Sequence, residues 1–95
     1  MIEDISDITI EYEENGVQVM REIDREVVSR GGAWATVLFR YQQWDPKQEQ
    51  YGEDRYTIRR YRKIGGEYRQ QNRFNISGPG QALKIMETFQ KWLDK

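Results

Sequence analysis

The residues best suited to chemistry in this chain are the cations of the segment 55–73. That segment holds seven Lys or Arg side chains and one carboxylate, Glu67. Four of these cations and one aromatic ring fall within six consecutive residues, which are Ile58, Arg59, Arg60, Tyr61, Arg62 and Lys63. A basic strand interleaved with rings holds a phosphate backbone electrostatically while unpaired bases stack on the rings. The segment therefore predicts a polyanion-binding surface.

The net charge of the whole chain, −1, hides a strong segregation of charge along the sequence. Residues 1–14 carry six acids and no base, so the remainder carries 15 bases against 10 acids, a net charge of +5. We interpret the first 14 residues as an acidic, partly disordered arm and residues 15–95 as a single domain. A further hypothesis is that the arm folds back over the basic surface and competes with nucleic acid. Deleting it should then tighten binding at low salt.

The composition argues against catalysis and metal binding. The chain has no cysteine and no histidine, so it lacks thiolate ligands, disulfides and the commonest general base. The carboxylates show no spacing typical of an active site or a metal centre, and we expect no enzyme activity, no cofactor and no small-molecule substrate. No apolar run approaches the roughly 20 residues of a membrane span, and no signal segment is recognisable. We predict a soluble, cytoplasmic protein without membrane contact.

Hydrophobic periodicity predicts a meander of antiparallel strands. Asn15-Gly16 and Gly65-Gly66 are typical of two-residue hairpin turns, and Gly31-Gly32 separates two further segments of strand character. The predicted strands are 17–29, 33–44, 56–64 and 67–77, with 8–12 as a candidate extra N-terminal strand. The segment 20–26 also fits a helix, and this alternative stays open.

One amphipathic helix ends the predicted fold. It begins near Pro79, because proline favours the first helical position. Apolar residues then recur every three or four positions to the C-terminus. A helix stripe this apolar is more than one small sheet can hide, so we predict a homodimer. The predicted interface consists of Met86, Phe89, Trp92 and Leu93.

Several short motifs in this order resemble a known family. They are Ile58-Arg59-x-Tyr61, the hairpin at Gly66-Glu67, the basic residues Arg69 and Arg73, and Ile76-Ser77 before the helix. Over roughly residues 17–93 the chain resembles the transcriptional positive-cofactor-four family of coactivators and their bacterial relatives. The resemblance implies an α+β fold, in which a curved four-stranded antiparallel β-meander is followed by one C-terminal amphipathic helix (β-β-β-β-α).

The same resemblance implies a function and a set of contacts. Members of that family dimerise through their helices and bind single-stranded DNA on their exposed sheet surfaces. The contacts carried over are Arg59, Tyr61, Arg69 and Arg73. The family often has an aromatic residue directly after the tyrosine of the basic strand, whereas this chain has Arg62 there.

Residues and resemblance together predict a single-stranded nucleic-acid-binding module with little sequence preference, which acts on DNA or RNA in transcription, replication or repair. The predicted contact residues are Arg55, Arg59, Tyr61, Arg62, Lys63, Arg69, Arg73 and Trp44. Tyr61 and Trp44 are the predicted stacking rings, and Trp34 is a further candidate. This prediction requires that the cations and rings converge on one water-facing surface.

Strand phase predicts where these side chains point. Arg59, Tyr61 and Lys63 share one phase of their strand, and we predict that they point away from the helix. Phase also predicts that Phe74 and Ile76 face the core.

Two alternatives remain beside nucleic-acid binding. One is a solvated sheet face on which Lys and Arg only prevent aggregation. The other is a small protein-interaction domain that engages an acidic partner. Arginine predominates over lysine in the segment 55–73. This favours phosphate contact, because a guanidinium makes planar, bidentate hydrogen bonds.

Overall fold

The computed structural model describes residues 2–94; Met1 and Lys95, at the outer ends of the two predicted regions, lie outside the described residues. The chain forms a mostly antiparallel sheet, a half-barrel, followed by one helix, which is broadly the predicted α+β class. The elements are a 3-10 helix at Ile5–Asp7, β1 Tyr12–Glu14, β2 Val17–Gly31, β3 Trp34–Asp45, β4 Gln50–Tyr51, β5 Arg55–Ile64, β6 Glu67–Ile76 and α1 Pro79–Leu93. The strand order is β1-β2-β3-β5-β6, and β4 pairs with β3 outside this path.

Asparagine and glycine form two of the hairpin turns at the predicted positions. Asn15 and Gly16 have φ angles of 52° and 78°, and Gly65 and Gly66 have φ angles of 61° and 81°. Positive φ at both central residues gives a turn whose twist matches that of the flanking strands. The four strands and the helix lie close to their predicted bounds for this reason, since local turn chemistry fixes where each strand ends.

The sheet has more strands than the four predicted. The candidate extra strand at 8–12 is wrong in its bounds, because residues 8–11 form no strand and the extra N-terminal strand is Tyr12–Glu14. β1 adds an acidic strand beside β2, in the hairpin closed by Asn15 and Gly16. The two-residue β4 lies in the polar loop after β3 and pairs back with it. The helical interpretation of 20–26 is wrong, because these residues lie within β2 and pair with β3. Hydrogen bonding to β3 along most of its length stabilises this segment as a strand, whereas a helix over 20–26 would be too short to be stable alone.

The core lies on one face of the sheet, which we call the core face. Its members on β3 are Ala35, Val37, Phe39 and Tyr41, all of them buried. They are covered by the N-terminal segment, residues 2–10, whose Ile8 and Ile10 are 0% and 5% exposed. The N-terminal segment therefore closes the core, and α1 does not.

Hydrogen bonds to the main chain fasten the N-terminal segment to the sheet. The guanidinium of Arg25 donates to the carbonyl oxygens of Ile5, Ser6 and Ile8. The Tyr68 amide donates to the Ile2 carbonyl oxygen at 2.7 Å. The arm predicted to be partly disordered thus follows a defined path across the sheet. Deleting residues 1–14 would remove part of the core, so such a deletion tests folding as well as binding.

The opposite side of the sheet, which we call the open face, is not covered by the N-terminal segment. Phe74, predicted to face the core, is 51% exposed there, and Ile76 is half-buried. They lie opposite Ile58 and Tyr56 of β5, whose side chains share the open face. The prediction for Phe74 and Ile76 is wrong because the helix does not fold back over this face.

α1 begins at Pro79, as predicted, and has no buried residue between Pro79 and Leu93. It contacts the sheet chiefly through β6. The residues predicted to form a dimer interface are each more than half exposed, and they are Met86, Phe89, Trp92 and Leu93. Within residues 2–94, no helix is both long and apolar enough to cross a membrane.

Candidate nucleic-acid interface

Strand register decides which of the predicted contact residues share a surface. Residues directly opposite each other in antiparallel strands lie on the same face, and Tyr61 lies opposite the buried Ala35. The predicted residues on the core face are Arg55, Arg59, Tyr61, Lys63 and Arg73. Those on the open face are Trp44, Arg62 and Arg69. The prediction of one common surface is therefore wrong.

A bulge in β6 accounts for part of this split. Arg69 and Arg73 are four residues apart and would share a face in a regular strand. The ladder between β5 and β6 skips Gln71, which has no opposite residue. The extra residue shifts the phase, so that Arg69 lies on the open face and Arg73 on the core face.

Tyr61 does not offer its ring to a base in this structure. Its side chain is 4% exposed and belongs to the cluster that Ile8 and Ile10 cover. Burial raises the pKa of the Tyr61 hydroxyl above its usual value, and the neighbouring Arg59 guanidinium opposes the rise. The predicted stacking role of Tyr61 is therefore wrong for this structure. Tyr61 points away from the helix, as predicted, but the N-terminal segment covers that face of the sheet.

The core-face cations lie around Tyr61 with different degrees of exposure. Arg59 is half-buried; its Nη1 donates to Gln70 Oε1 at 3.0 Å, while its buried Nε has no partner among residues 2–94. Arg55, Lys63 and Arg73 are exposed. These three keep their charges in water. The ring near Lys63 is that of Tyr68, which is buried.

A group of exposed cations lies beside an indole ring on the open face. We call it the tip cluster, and it consists of Trp34, Arg60, Arg62 and Arg69. The Cζ atoms of Arg60 and Arg62 lie 4.1 Å and 5.4 Å from the centroid of the Trp34 ring. Trp34 lies directly opposite Arg62, and Arg62 lies directly opposite Arg69. The three arginines are exposed and the indole is half-buried.

Acidic side chains neutralise little of the tip cluster. Among residues 2–94, the carboxylate within 4 Å of its guanidinium groups is that of Glu67, whose Oε2 is 3.8 Å from Arg69 Nη2. An exposed pair of this kind contributes about 0–1 kcal/mol. Within the same range, the side chains of Arg60 and Arg62 donate no hydrogen bond to a protein acceptor. Their donors face water and are available to an anion.

Two turns bring the tip cluster together at the end of the sheet away from α1. Trp34 begins β3 directly after the turn at Gly32, whose φ is 57°. Arg62 lies near the end of β5, just before the turn at Gly65-Gly66. β3 and β5 are antiparallel, so the start of one strand meets the end of the other. The sequence thus places the Trp34 ring near Arg60 and Arg62, two alternate residues of β5, at one end of the sheet.

Trp44, the other predicted stacking ring, belongs to a second aromatic group at the far end of β3. We call this the loop cluster, and it consists of Arg21, Trp44 and Tyr51. The two rings are 5.1 Å apart, edge to face, and Arg21 Cζ lies 3.7 Å from the Tyr51 ring centroid. Arg21 Nε and Nη2 donate to Gln42 Oε1 at 3.0 Å and 2.7 Å. The Tyr51 hydroxyl donates to the Gln18 carbonyl oxygen at 2.8 Å.

Arg60 is the tip-cluster cation that the predicted set of contacts omitted. Consecutive strand residues point to opposite faces, so the side chains of Arg59 and Arg60 lie on different faces of the sheet. Strand phase alone does not say which of the two faces is covered. The available signal was Trp34: a tryptophan just after a Gly-Gly turn meets the last residues of whichever strand pairs with it.

The exposed stripe of α1 is a second candidate interface. The rings of Phe89 and Trp92 lie 6.0 Å apart, edge to face. Leu83 and Leu93 are 51% and 79% exposed along the same helix. Together they form apolar surface that no described residue covers.

No family model, curated protein or solved structure matches this chain. The resemblance to the positive-cofactor-four family therefore depends on the motifs around Tyr61 and Ile76. It stays a prediction.

Proposed function

We propose that this protein binds single-stranded DNA or RNA, with little sequence preference, through the tip cluster. The observation that carries the proposal is the Trp34 ring flanked by the exposed guanidinium groups of Arg60 and Arg62. An aromatic face beside cations that lack acidic partners suits a base and its phosphate together. The resemblance to the positive-cofactor-four family supports the same function, with a role in transcription, replication or repair.

Two interactions would contribute to binding. A base stacked on an exposed ring contributes about 1–3 kcal/mol, with little dependence on which base it is. Arginine adds bidentate hydrogen bonds to phosphate oxygens, and the release of condensed counterions makes affinity fall as salt rises. In a duplex the bases already stack on one another, so Trp34 would gain a new stacking partner only from an unpaired strand.

The proposal includes a homodimer formed through α1. Contiguous exposed apolar surface marks an interaction site on soluble proteins. The surface is made by Leu83, Met86, Phe89, Trp92 and Leu93, and Phe74 is exposed on β6 nearby. A second copy presents the same stripe, and a two-fold contact buries both stripes at once.

The binding test compares two substitutions on the open face. Arg60→Gln with Arg62→Gln removes both guanidinium groups from Trp34. We expect the affinity for a fluorescent oligothymidine to fall roughly tenfold or more, because charge-assisted contacts to phosphate are lost. The slope of log affinity against log salt should also flatten by about 0.7 for each phosphate contact removed. Fluorescence anisotropy at several salt concentrations measures both.

Arg40→Gln provides the matched control. Like Arg60 and Arg62 on β5, Arg40 on β3 is an exposed cation, but its Nη2 lies 2.5 Å from Asp54 Oδ2. We expect its loss to change the affinity by no more than about twofold, since its charge is already neutralised. If both variants lost the same affinity, general charge attraction would explain the binding and the tip cluster would not be a specific site. A wild-type protein that binds neither DNA nor RNA would overturn the proposal and favour the alternative, a domain that engages an acidic protein.

The dimer has its own test. We expect sedimentation to give twice the 11.5 kDa mass of the chain, and Phe89→Glu to give a monomer, because it places a charge within the apolar stripe. Gln90→Glu adds the same charge at the next helix position and should leave the dimer intact. A wild-type monomer at micromolar concentration would contradict this part of the proposal.

A further inference from the structure

A second pair of exposed cations lies at the same end of the sheet as the tip cluster, but on the core face. Arg30 lies opposite Ala35, which lies opposite Tyr61. Lys63 lies opposite Tyr68, and its Nζ is 5.3 Å from the Tyr68 ring centroid. Arg30 and Lys63 are exposed, and they make no salt bridge within 4 Å among residues 2–94.

Asp4 is the acidic residue that the N-terminal segment brings to this pair. On one side the segment is fixed by the hydrogen bond from the Tyr68 amide to the Ile2 carbonyl oxygen. On the other side it is fixed by Arg25, which binds the carbonyl oxygens of residues 5, 6 and 8. Asp4 lies between these two anchors, and its Oδ1 accepts a hydrogen bond from the Ser6 amide at 3.0 Å. Its carboxylate is therefore held in place.

The electrostatics of Asp4 agree with this placement. Hydrogen bonding from Ser6 holds the pKa of the Asp4 carboxyl below its usual value, and the charges of Lys63 and Arg30 lower it further. The geometry is that Ile2, two residues before Asp4, is hydrogen-bonded to Tyr68, the residue opposite Lys63. Among the described residues Asp4 forms no direct ion pair with Lys63 or Arg30.

We infer that Arg30 and Lys63 form a second phosphate subsite for the same nucleic-acid strand, and that Asp4 competes with the phosphate for it. Arg62 and Lys63 are consecutive residues on opposite faces, so a strand that passes Trp34 and turns over this end of the sheet reaches Lys63 next. A fixed carboxylate at that point lowers the positive potential that a phosphate would meet. The inference rests on the proposed function of the tip cluster.

The test is a substitution that removes one charge and keeps the fold. Asp4→Asn retains the oxygen that accepts the Ser6 amide hydrogen bond, because asparagine caps a turn as aspartate does. We expect the affinity for oligothymidine at low salt to rise about two- to fivefold, which is the size of an exposed charge interaction. Glu3→Gln changes the net charge equally from an adjacent exposed position and should give a smaller rise.

Lys63→Gln provides an independent measurement that leaves Asp4 intact. We expect it to weaken binding and to flatten the salt slope by about 0.7, the contribution of one phosphate contact on a single strand. In the double variant with Asp4→Asn, the gain from Asp4→Asn should shrink, because the competition is for Lys63. Thermal melts of each variant verify that the fold is retained.

The outcomes separate this inference from the proposed function. Equal gains from Asp4→Asn and Glu3→Gln would overturn it, since net charge would then explain both. An unchanged salt slope in Lys63→Gln would overturn it as well, while the tip cluster stands if Arg60→Gln with Arg62→Gln still weakens binding. If the wild-type protein binds no oligonucleotide at all, the proposed function fails and the subsite fails with it.

Discussion

The tip cluster and the loop cluster contain the same kinds of residue at opposite ends of one strand. Each has a tryptophan of β3 on the open face, Trp34 or Trp44, together with arginine. In the loop cluster the hydrogen-bonding capacity is used within the chain, because Arg21 binds Gln42 and Tyr51 binds the Gln18 carbonyl. In the tip cluster the guanidinium donors face water. The first arrangement holds the chain together, and the second is open to a ligand.

A binding site and a group of residues that only stabilises the fold are both rich in arginine and aromatic rings in this protein. Composition does not distinguish them. What distinguishes them is whether the donors already have acceptors nearby, because a satisfied guanidinium gains little from an added phosphate. The comparison predicts that substitutions at the tip affect binding, and that substitutions in the loop cluster affect folding.

The largest expected effect is on nucleic-acid binding by the two tryptophans. Trp34→Ala should lower the affinity for oligothymidine by about 1–3 kcal/mol, the contribution of one stacked base. Trp44→Ala should leave the affinity within about twofold, because its ring packs edge to face with that of Tyr51 and the Arg21 guanidinium beside them is hydrogen-bonded to Gln42. Fluorescence anisotropy measures both variants. A larger loss from Trp44→Ala than from Trp34→Ala would reverse the assignment of the two clusters.

A moderate effect is expected on stability, and it should be larger for the loop cluster than for the tip cluster. Tyr51→Phe removes the hydrogen bond from the hydroxyl to the Gln18 carbonyl. It should lower the free energy of unfolding by about 0.5–1.5 kcal/mol. Arg60→Gln, at an exposed position of the tip cluster, should change it by less than about 0.5 kcal/mol. Urea denaturation followed by tryptophan fluorescence is the measurement, and equal changes in the two variants would argue against the distinction.

The smallest expected effect concerns pH and the polar contacts beside the loop cluster. Hydrogen bonds from Gln42 and Arg40 hold the pKa of the Asp54 carboxyl below its ordinary value. A group with a depressed folded-state pKa stabilises the protein above its unfolded-state pKa, and this stabilisation is lost as the pH falls through the folded-state pKa. Asp54→Asn should therefore lower the free energy of unfolding at neutral pH and leave it unchanged in strong acid.

Glu53→Gln is the matched control for this pH effect. Glu53 is an adjacent exposed carboxylate, and its substitution should make little difference at either pH. Denaturation curves at neutral and strongly acidic pH give the comparison. A loss of stability from Asp54→Asn that is the same at both pH values would show that the carboxylate charge is not its cause.

Much of the fold was predictable because it depends on local chemistry. Asn15-Gly16 and Gly65-Gly66 adopt the positive φ angles that tight hairpins require, and Pro79 occupies the start of the helix. Alternation along β5 correctly placed Arg59, Tyr61 and Lys63 on one face of the sheet. The exposed apolar stripe of α1 was also evident from its spacing.

The candidate site was less predictable, since it depends on which face of the sheet is covered. Alternation says that Arg59 and Arg60 point to opposite sides, but the cover comes from Ile8 and Ile10, far away in sequence. No local pattern says that this segment packs on Phe39 and its neighbours. The bulge at Gln71 was equally unpredictable from local sequence. Because the ladder skips this one residue, Arg73 lies on the opposite face from Arg69.

Local sequence was enough to predict the four long strands, the hairpin turns, the helix and the concentration of arginine in the segment 55–73, because each follows from neighbours within a few residues. The burial of Tyr61, the approach of Arg60 and Arg62 to the Trp34 ring, and the covering of the core by the N-terminal segment instead of the helix depend on tertiary contacts. A strand has two equivalent faces, and the contact that buries one of them is made by residues distant along the chain.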